Sequence, residues 1–273
     1  MGAFFPLVAA TVAGAAPPAD AVAASLVGIE LALADAPPAG PLGPALGAAE
    51  QPLLRRLAAE PALWDSVRAG LPGGLEAPVA TLIDALRAHR AISPAPRTAL
   101  PAWTIGPPSD LGLLREAYAS AADAEGVPWS VLAAVHFVET RFGRIRATSV
   151  SGALGPMQFL PATWAAYGRG GDVHDPMDAI RGAAHYLAAM GGRRDLRRAL
   201  WHYNHHASYV DAVLGFAGLL AAEPWRLAGW TGWEVVYPTV RGDIVLPIGY
   251  SAAERVPVAV YCATQDPAVC PAD

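Results

Sequence analysis

The sequence predicts a mainly α protein with a small β-containing C-terminal extension. Three observations carry this. Apolar residues recur at helical spacing almost without a break from Leu111 to about Ala222, with Gly and Pro marking the turns. Residues 52–93 read as two or three short amphipathic helices, broken at Pro61 and at the run Leu71-Pro72-Gly73-Gly74. After Pro224 the pattern changes to β-branched and aromatic runs on either side of Arg241-Gly242-Asp243, which predicts a hairpin.

The segments follow in order. Residues 1–33 are apolar, with no charge before Asp20, and read as a signal- or anchor-like segment with small-residue cleavage options. The usual positive start is missing, and Pro6, Pro17 and Pro18 interrupt any spanning helix. The expectation is an exported protein, secreted or associated with the cell envelope, with membrane association through this segment as one option. Residues 34–51 read as a Pro/Gly/Ala linker, residues 52–93 as a short helical segment and residues 94–109 as a Pro-rich connector. Residues 110–222 form the main helical domain, and residues 223–273 the extension. Cys262 and Cys270 flank a run containing Asp266-Pro267, a turn former. They read as a local disulfide, which suits an oxidising compartment; free thiols are the alternative.

Composition excludes several classes. The chain has 273 residues, 53% hydrophobic and 16% charged, so it is neither disordered nor supercharged. A net charge of −5 argues against nucleic acid as a partner. No cofactor and no metal are implied. His202 and His206 are four apart, but no third ligand accompanies them. The run Gly168 to Asp172 lacks the alternating oxygen ligands of a calcium loop. Asp175 and Asp178 read as the N-cap and third residue of a helix beginning at Pro176.

One stretch raises a chemical question. "VPWSVLAAVHFVETRFGR", residues 127–144, predicts a helix with Pro128 at its first position and Gly143 as its stop. Glu139 returns to within about 20° of Leu132, on the apolar side. A carboxyl buried there keeps its proton to higher pH and can serve as a general acid. The plainer reading is a carboxylate at the margin of the stripe, paired with Arg141, Arg144 or Arg146. The helix alone leaves both open.

Further motifs accompany it: Glu139-Thr140, then Ser149-x-x-Gly152-Ala153-x-Gly155-x-Met157-Gln158, then Pro161-x-Thr163, then Tyr203-Asn204. In this order, over roughly residues 110–218, they resemble the soluble lytic transglycosylases of the lysozyme-like group that includes goose-type lysozyme. The resemblance implies a lysozyme-like helical catalytic domain with a saccharide cleft, acting on peptidoglycan glycan strands. Glu139 matches the single catalytic acid. Thr140, Ser149, Gly152, Gly155, Met157, Gln158, Tyr203 and Asn204 match the substrate-binding positions, with Met157 and Gln158 on the floor of the sugar site and the Tyr203 hydroxyl near the catalytic carboxyl. There are departures. Thr140 stands where many members have Ser, Pro156 where many have Leu, and His205 and His206 follow Asn204.

Ordinary glycosidases use two carboxyls, about 5 Å or about 6.5–9.5 Å apart. Between Glu139 and Asp172 this chain has no Asp or Glu. A lone acid suits lytic chemistry, in which the C6 hydroxyl of the substrate closes a 1,6-anhydro-muramoyl end. A hydrolytic goose-type-like lysozyme, or a non-catalytic wall-binding or assembly protein on the same fold, are the alternatives. Arg141, Arg144 and Arg146 are expected at the cleft rim. His136 is expected in the core or at the rim. Trp230, Trp233 and Tyr237 are expected to pack against the helical domain or to stack on sugar.

Overall fold

In a computed structural model the protein is described over residues 17–265 and 269–270. The first half of the chain contains α1 (Ala19–Asp35), α2 (Leu42–Ala59), α3 (Pro61–Arg68), α4 (Gly73–Ala91), β1 (Ala99–Leu100), β2 (Thr104–Ile105), α5 (Leu111–Glu125) and α6 (Trp129–Thr140). The second half contains β3 (Ile145–Arg146), α7 (Pro161–Tyr167), α8 (Pro176–Ala189), α9 (Leu196–Tyr203), α10 (Ala207–Ala222), α11 (Arg226–Thr231), β4 (Val235–Thr239), β5 (Gly242–Leu246), β6 (Val256–Pro257) and α12 (Val258–Cys262). The mainly helical expectation matches this order.

The N-terminal helices and the main helical region share one apolar core. Leu82 and Ile83 of α4, Val135 of α6, and Val213 and Phe216 of α10 are all fully buried in it. A Cβ on Gly215 would lie 2.9 Å from the Ala85 Cβ, so α4 and α10 cross closely. Residues 52–93 are therefore not a separate segment but a wall of the same domain.

The predicted linker over 34–51 is a correction. Much of it lies in α2, which buries Gly47, Glu50 and Gln51. A Cβ on Gly47 would sit 1.8 Å from the Gly229 carbonyl oxygen, and one on Gly232 would sit 1.8 Å from that of Pro44. The residues that read as flexible are those that let α2 and the α11 region meet backbone to backbone.

The signal- or anchor-like reading of 1–33 is also corrected in part. Residues 1–16 lie outside the described residues, whereas 19–33 belong to α1 and bury Val22, Leu26 and Leu33. α1 also carries Glu30 into the core, where Arg226 grips both its oxygens at 3.2 and 2.8 Å. An Ala/Leu/Val-rich helix covered by neighbours has the composition of a leader. Among the described residues, no helix is long and apolar enough to cross a membrane.

The Pro-rich connector over 94–109 is a tie rather than a spacer. β1 pairs antiparallel with β6, Ala99 opposite Pro257, and β2 pairs with β3, Thr104 opposite Arg146. β4 and β5 form a hairpin from Val235 opposite Leu246 to Thr239 opposite Gly242. Leu100, Ile105, Val235, Ile244, Leu246 and Val258 make a second small core beneath it, joined by Cys270. Cys262 and Cys270 are disulfide-bonded.

Candidate active site

α6 is buried on almost every side, from Ser130 through Phe137, and emerges at its last turn, where Glu139 is half-buried. The expected stop at Gly143 comes earlier. The helix ends at Thr140, and Arg141, Phe142 and Gly143 follow at φ 54°, 58° and 79°. A left-handed residue other than glycine costs about 1–2 kcal/mol. The turn is held by full burial of Phe142 against Phe137, by the Arg141 N–H donating to the Phe137 carbonyl (3.0 Å), and by the Gly143 N–H donating to Thr140 Oγ1 (3.1 Å).

Glu139 lines a cleft of about 1220 Å³. α2 and α4 contribute Arg55, His89 and Arg90 to its walls, and the β4–β5 hairpin contributes Tyr237 and Asp243. The Tyr209 hydroxyl, from α10, donates to Glu139 Oε1 at 2.7 Å. Burial pushes the Glu139 carboxyl up to about 7, against a smaller downward pull from that hydrogen bond. Burial also pushes the Tyr209 hydroxyl well above its ordinary range, with the Glu139 charge adding to it. At neutral pH the site therefore holds a carboxyl poised between its two protonation states and a permanent hydroxyl donor.

Sequence reasoning puts the Tyr203 hydroxyl near the Glu139 carboxyl, and the Glu139 charge does add to burial in raising its pKa, but its hydrogen bond goes elsewhere. Tyr203 donates to the Met157 carbonyl at 2.7 Å, and its ring lies parallel to that of Tyr209, with centroids 6.3 Å apart. Tyr209 itself was not singled out. A signal for it exists: with Val213 and Phe216 it falls at i, i+4 and i+7 on the buried face of α10, and a buried tyrosine needs a hydroxyl partner.

The other expected substrate-binding residues divide. Ser149 and Asn204 line the cleft with Glu139. Ser149 Oγ also accepts the Ala153 N–H at 2.9 Å, shaping the loop. Thr140 is fully buried and donates to the Pro156 carbonyl at 2.6 Å, and Met157 is fully buried. Both are framework under the site rather than surface within it. Gln158, at φ 50°, turns its amide onto the Gly155 carbonyl (2.9 Å) and the Ala147 carbonyl (3.3 Å). Gly155 needs its missing side chain: at φ 71°, a Cβ would lie 1.8 Å from the Val173 carbonyl oxygen. Gly152, at φ 81°, is required for its turn and has open space around it.

Of the three arginines expected at the rim, Arg146 is exposed. Arg144 is buried and donates to the Trp233 carbonyl (2.6 Å) and to Glu234 (3.1 Å). Arg141 is also buried, yet lines the cleft. His136 is a core histidine: it shares a 2.8 Å hydrogen bond with the Tyr118 hydroxyl, and burial pushes it down to about 3. Trp230 and Trp233 are core residues, Trp230 stacking on Phe137 at 5.2 Å. Tyr237 faces the cleft beside Trp103, edge to face at 5.5 Å.

A helical domain with a carboxyl pushed up to about 7 inside a cleft fits the lysozyme-like class of glycan-cleaving proteins. Residues 116–215 match the family model described as Transglycosylase SLT domain. This part of the chain is a lytic transglycosylase catalytic domain, of a family whose members degrade peptidoglycan and act on the cell wall. No curated protein and no solved structure matches the chain.

Proposed function

We propose that Glu139 alone, as acid and then as base, cleaves the MurNAc–GlcNAc bond of peptidoglycan and leaves 1,6-anhydro-muramoyl ends. One observation carries this reading. Among the described residues lining the cleft, the other carboxylate is Asp243, and it is tied to Arg55 and Arg90, which hold its carboxyl below the ordinary range. No second carboxyl is therefore left to position water or attack the sugar, as ordinary hydrolysis asks.

In the first step the protonated Glu139 gives its proton to the glycosidic oxygen as the bond to C1 breaks. In the second, the Glu139 carboxylate takes the proton of the substrate's C6 hydroxyl while that oxygen bonds to C1. Tyr209 donates to the carboxyl throughout and counts most when Glu139 is charged, between the two transfers. Because the attacking group is tethered to the substrate, it is present at high effective concentration. Ser149 and Asn204 are suited to contact sugar hydroxyls, and Trp103 and Tyr237 to stack on a ring. The work is done outside the cytoplasm, a location that the disulfide supports.

Digesting purified cell wall and weighing the fragments tests the reading. Lytic products are lighter than hydrolytic ones by one water. Hydrolysed ends, or lytic products formed at wild-type rate by Glu139→Gln, would reject it.

A further inference from the structure

We propose that the arginine-walled arm of the cleft is a subsite for the carboxylates of the peptide stem carried by the muramoyl residue. This rests on the reading given under Proposed function. The arm is built around Arg141, only 8% exposed yet lining the cleft. Among the described residues no carboxylate pairs with it. Its guanidinium lies 4.1 Å over the Phe137 ring and donates to the Phe137 carbonyl at 3.1 Å. The charges beside it are of its own sign, Arg55 and Arg144, and together with burial they pull its pKa down.

A buried cation without a counterion is costly, and an incoming anion removes that cost. The whole cleft shows the same bias. Six arginines line it against two carboxyls, Glu139 and Asp243, in a chain whose net charge is −5. Asp243 is shared between Arg55 and Arg90, so one carboxylate serves two guanidiniums. The charged groups acting on Arg141 are themselves guanidiniums, whose flat fork matches a carboxylate. His89, at the same wall, is held neutral by burial, with Arg141 and Arg55 contributing, its pKa down to about 3, so the positive charge of this wall is carried by the arginines.

The tether decides which anion. The arm and Glu139 belong to one cleft, so the anion must hang from the glycan whose bond lies at Glu139. The stem peptide hangs from the muramoyl lactyl group and carries free carboxylates. A wall polymer joined by phosphodiester to the muramoyl C6 oxygen would block the hydroxyl needed to close the anhydro ring.

The test uses the full chain and two glycan substrates, strands with free stem carboxylates and the same strands with those carboxylates converted to amides. The expected result is a kcat/KM higher by roughly tenfold or more on the free-carboxylate strands, the size of one charge-assisted contact. Arg141→Met should bring that ratio close to one, whatever its absolute rate. If R141M does not fold, the wild-type ratio decides alone. Equal kcat/KM on both substrates, or a ratio unchanged in R141M, would overturn the subsite while anhydro ends are still formed. Absence of anhydro ends from every substrate would remove the glycan-cleaving reading itself.

Discussion

Replacing Glu139 by Gln separates the chemistry of the site from its cost. The folded protein holds this proton up to about pH 7, whereas the ordinary carboxyl value is 4.5. Between those values the folded state binds a proton that the unfolded chain has released. Stability from this group is therefore present at low pH and is lost as pH rises through the window. The full gap corresponds to about 3 kcal/mol, of which about 2.5 kcal/mol falls between pH 5 and pH 8. Glu139→Gln removes the titration but keeps the shape and an acceptor for Tyr209. Its stability relative to wild type should therefore grow by about 2.5 kcal/mol from pH 5 to pH 8. Turnover should fall by roughly 10²–10⁴-fold. Urea melts of both proteins at the two pH values, with turnover on wall fragments measured on the same samples, give both numbers. A stability difference that is the same at pH 5 and pH 8 would show a carboxyl titrating like one on the surface, and the account of the acid would fail.

Four other outcomes follow from the same structure. Tyr209→Phe removes the bond that lowers the Glu139 pKa, so the alkaline limb of the pH–rate profile should move up while turnover falls roughly tenfold, about 1.4 kcal/mol; an unmoved limb would count against it. Tyr203→Phe leaves the Met157 carbonyl without its donor and should cost about 1–3 kcal/mol in a denaturant melt, with the larger effect on stability rather than turnover. Gly47→Ala drives a methyl into the Gly229 carbonyl and should cost about 3 kcal/mol or more, read as a fall in Tm, since neither backbone can yield. Replacing both Cys262 and Cys270 by Ser opens a loop of sequence separation 8 and should lower stability by about 2–3 kcal/mol, whereas an unchanged melt would mean that the bridge adds nothing.

The place of Glu139 in the cleft was legible because the signal was local. A glutamate on the apolar side of a helix stands out within a dozen residues, and the motif from Ser149 to Gln158 follows within twenty. The hydrogen-bond partner was not, because Tyr209 comes from α10, seventy residues away in sequence. The cleft walls are remoter still, Arg55 coming from α2 and Asp243 from the hairpin. The linker failed for a different reason. Gly and Pro mark both loose chain and tight contact, and only the partner surface tells them apart. At Gly47 that partner is Gly229, which no local window includes.

Arg141 shows how a local rule misplaces a residue that matters. If α6 ran on to Gly143, residue 141 would point about 200° away from Glu139, at about 100° per residue. The left-handed turn after Thr140 instead brings its guanidinium into the same cleft as Glu139. Yet the forces on the Glu139 carboxyl are burial and Tyr209, with no arginine among them. The Arg141 charge is felt by His89 instead. Arg141 and Glu139 thus share a cleft without cancelling: an arginine against the carboxyl would lower its pKa and strip the proton that the proposed first step uses. Burial and Tyr209 set Glu139 near 7, while the Arg141 guanidinium is held on the carbonyl and ring of Phe137 with Arg55 and Arg144 as its charged neighbours.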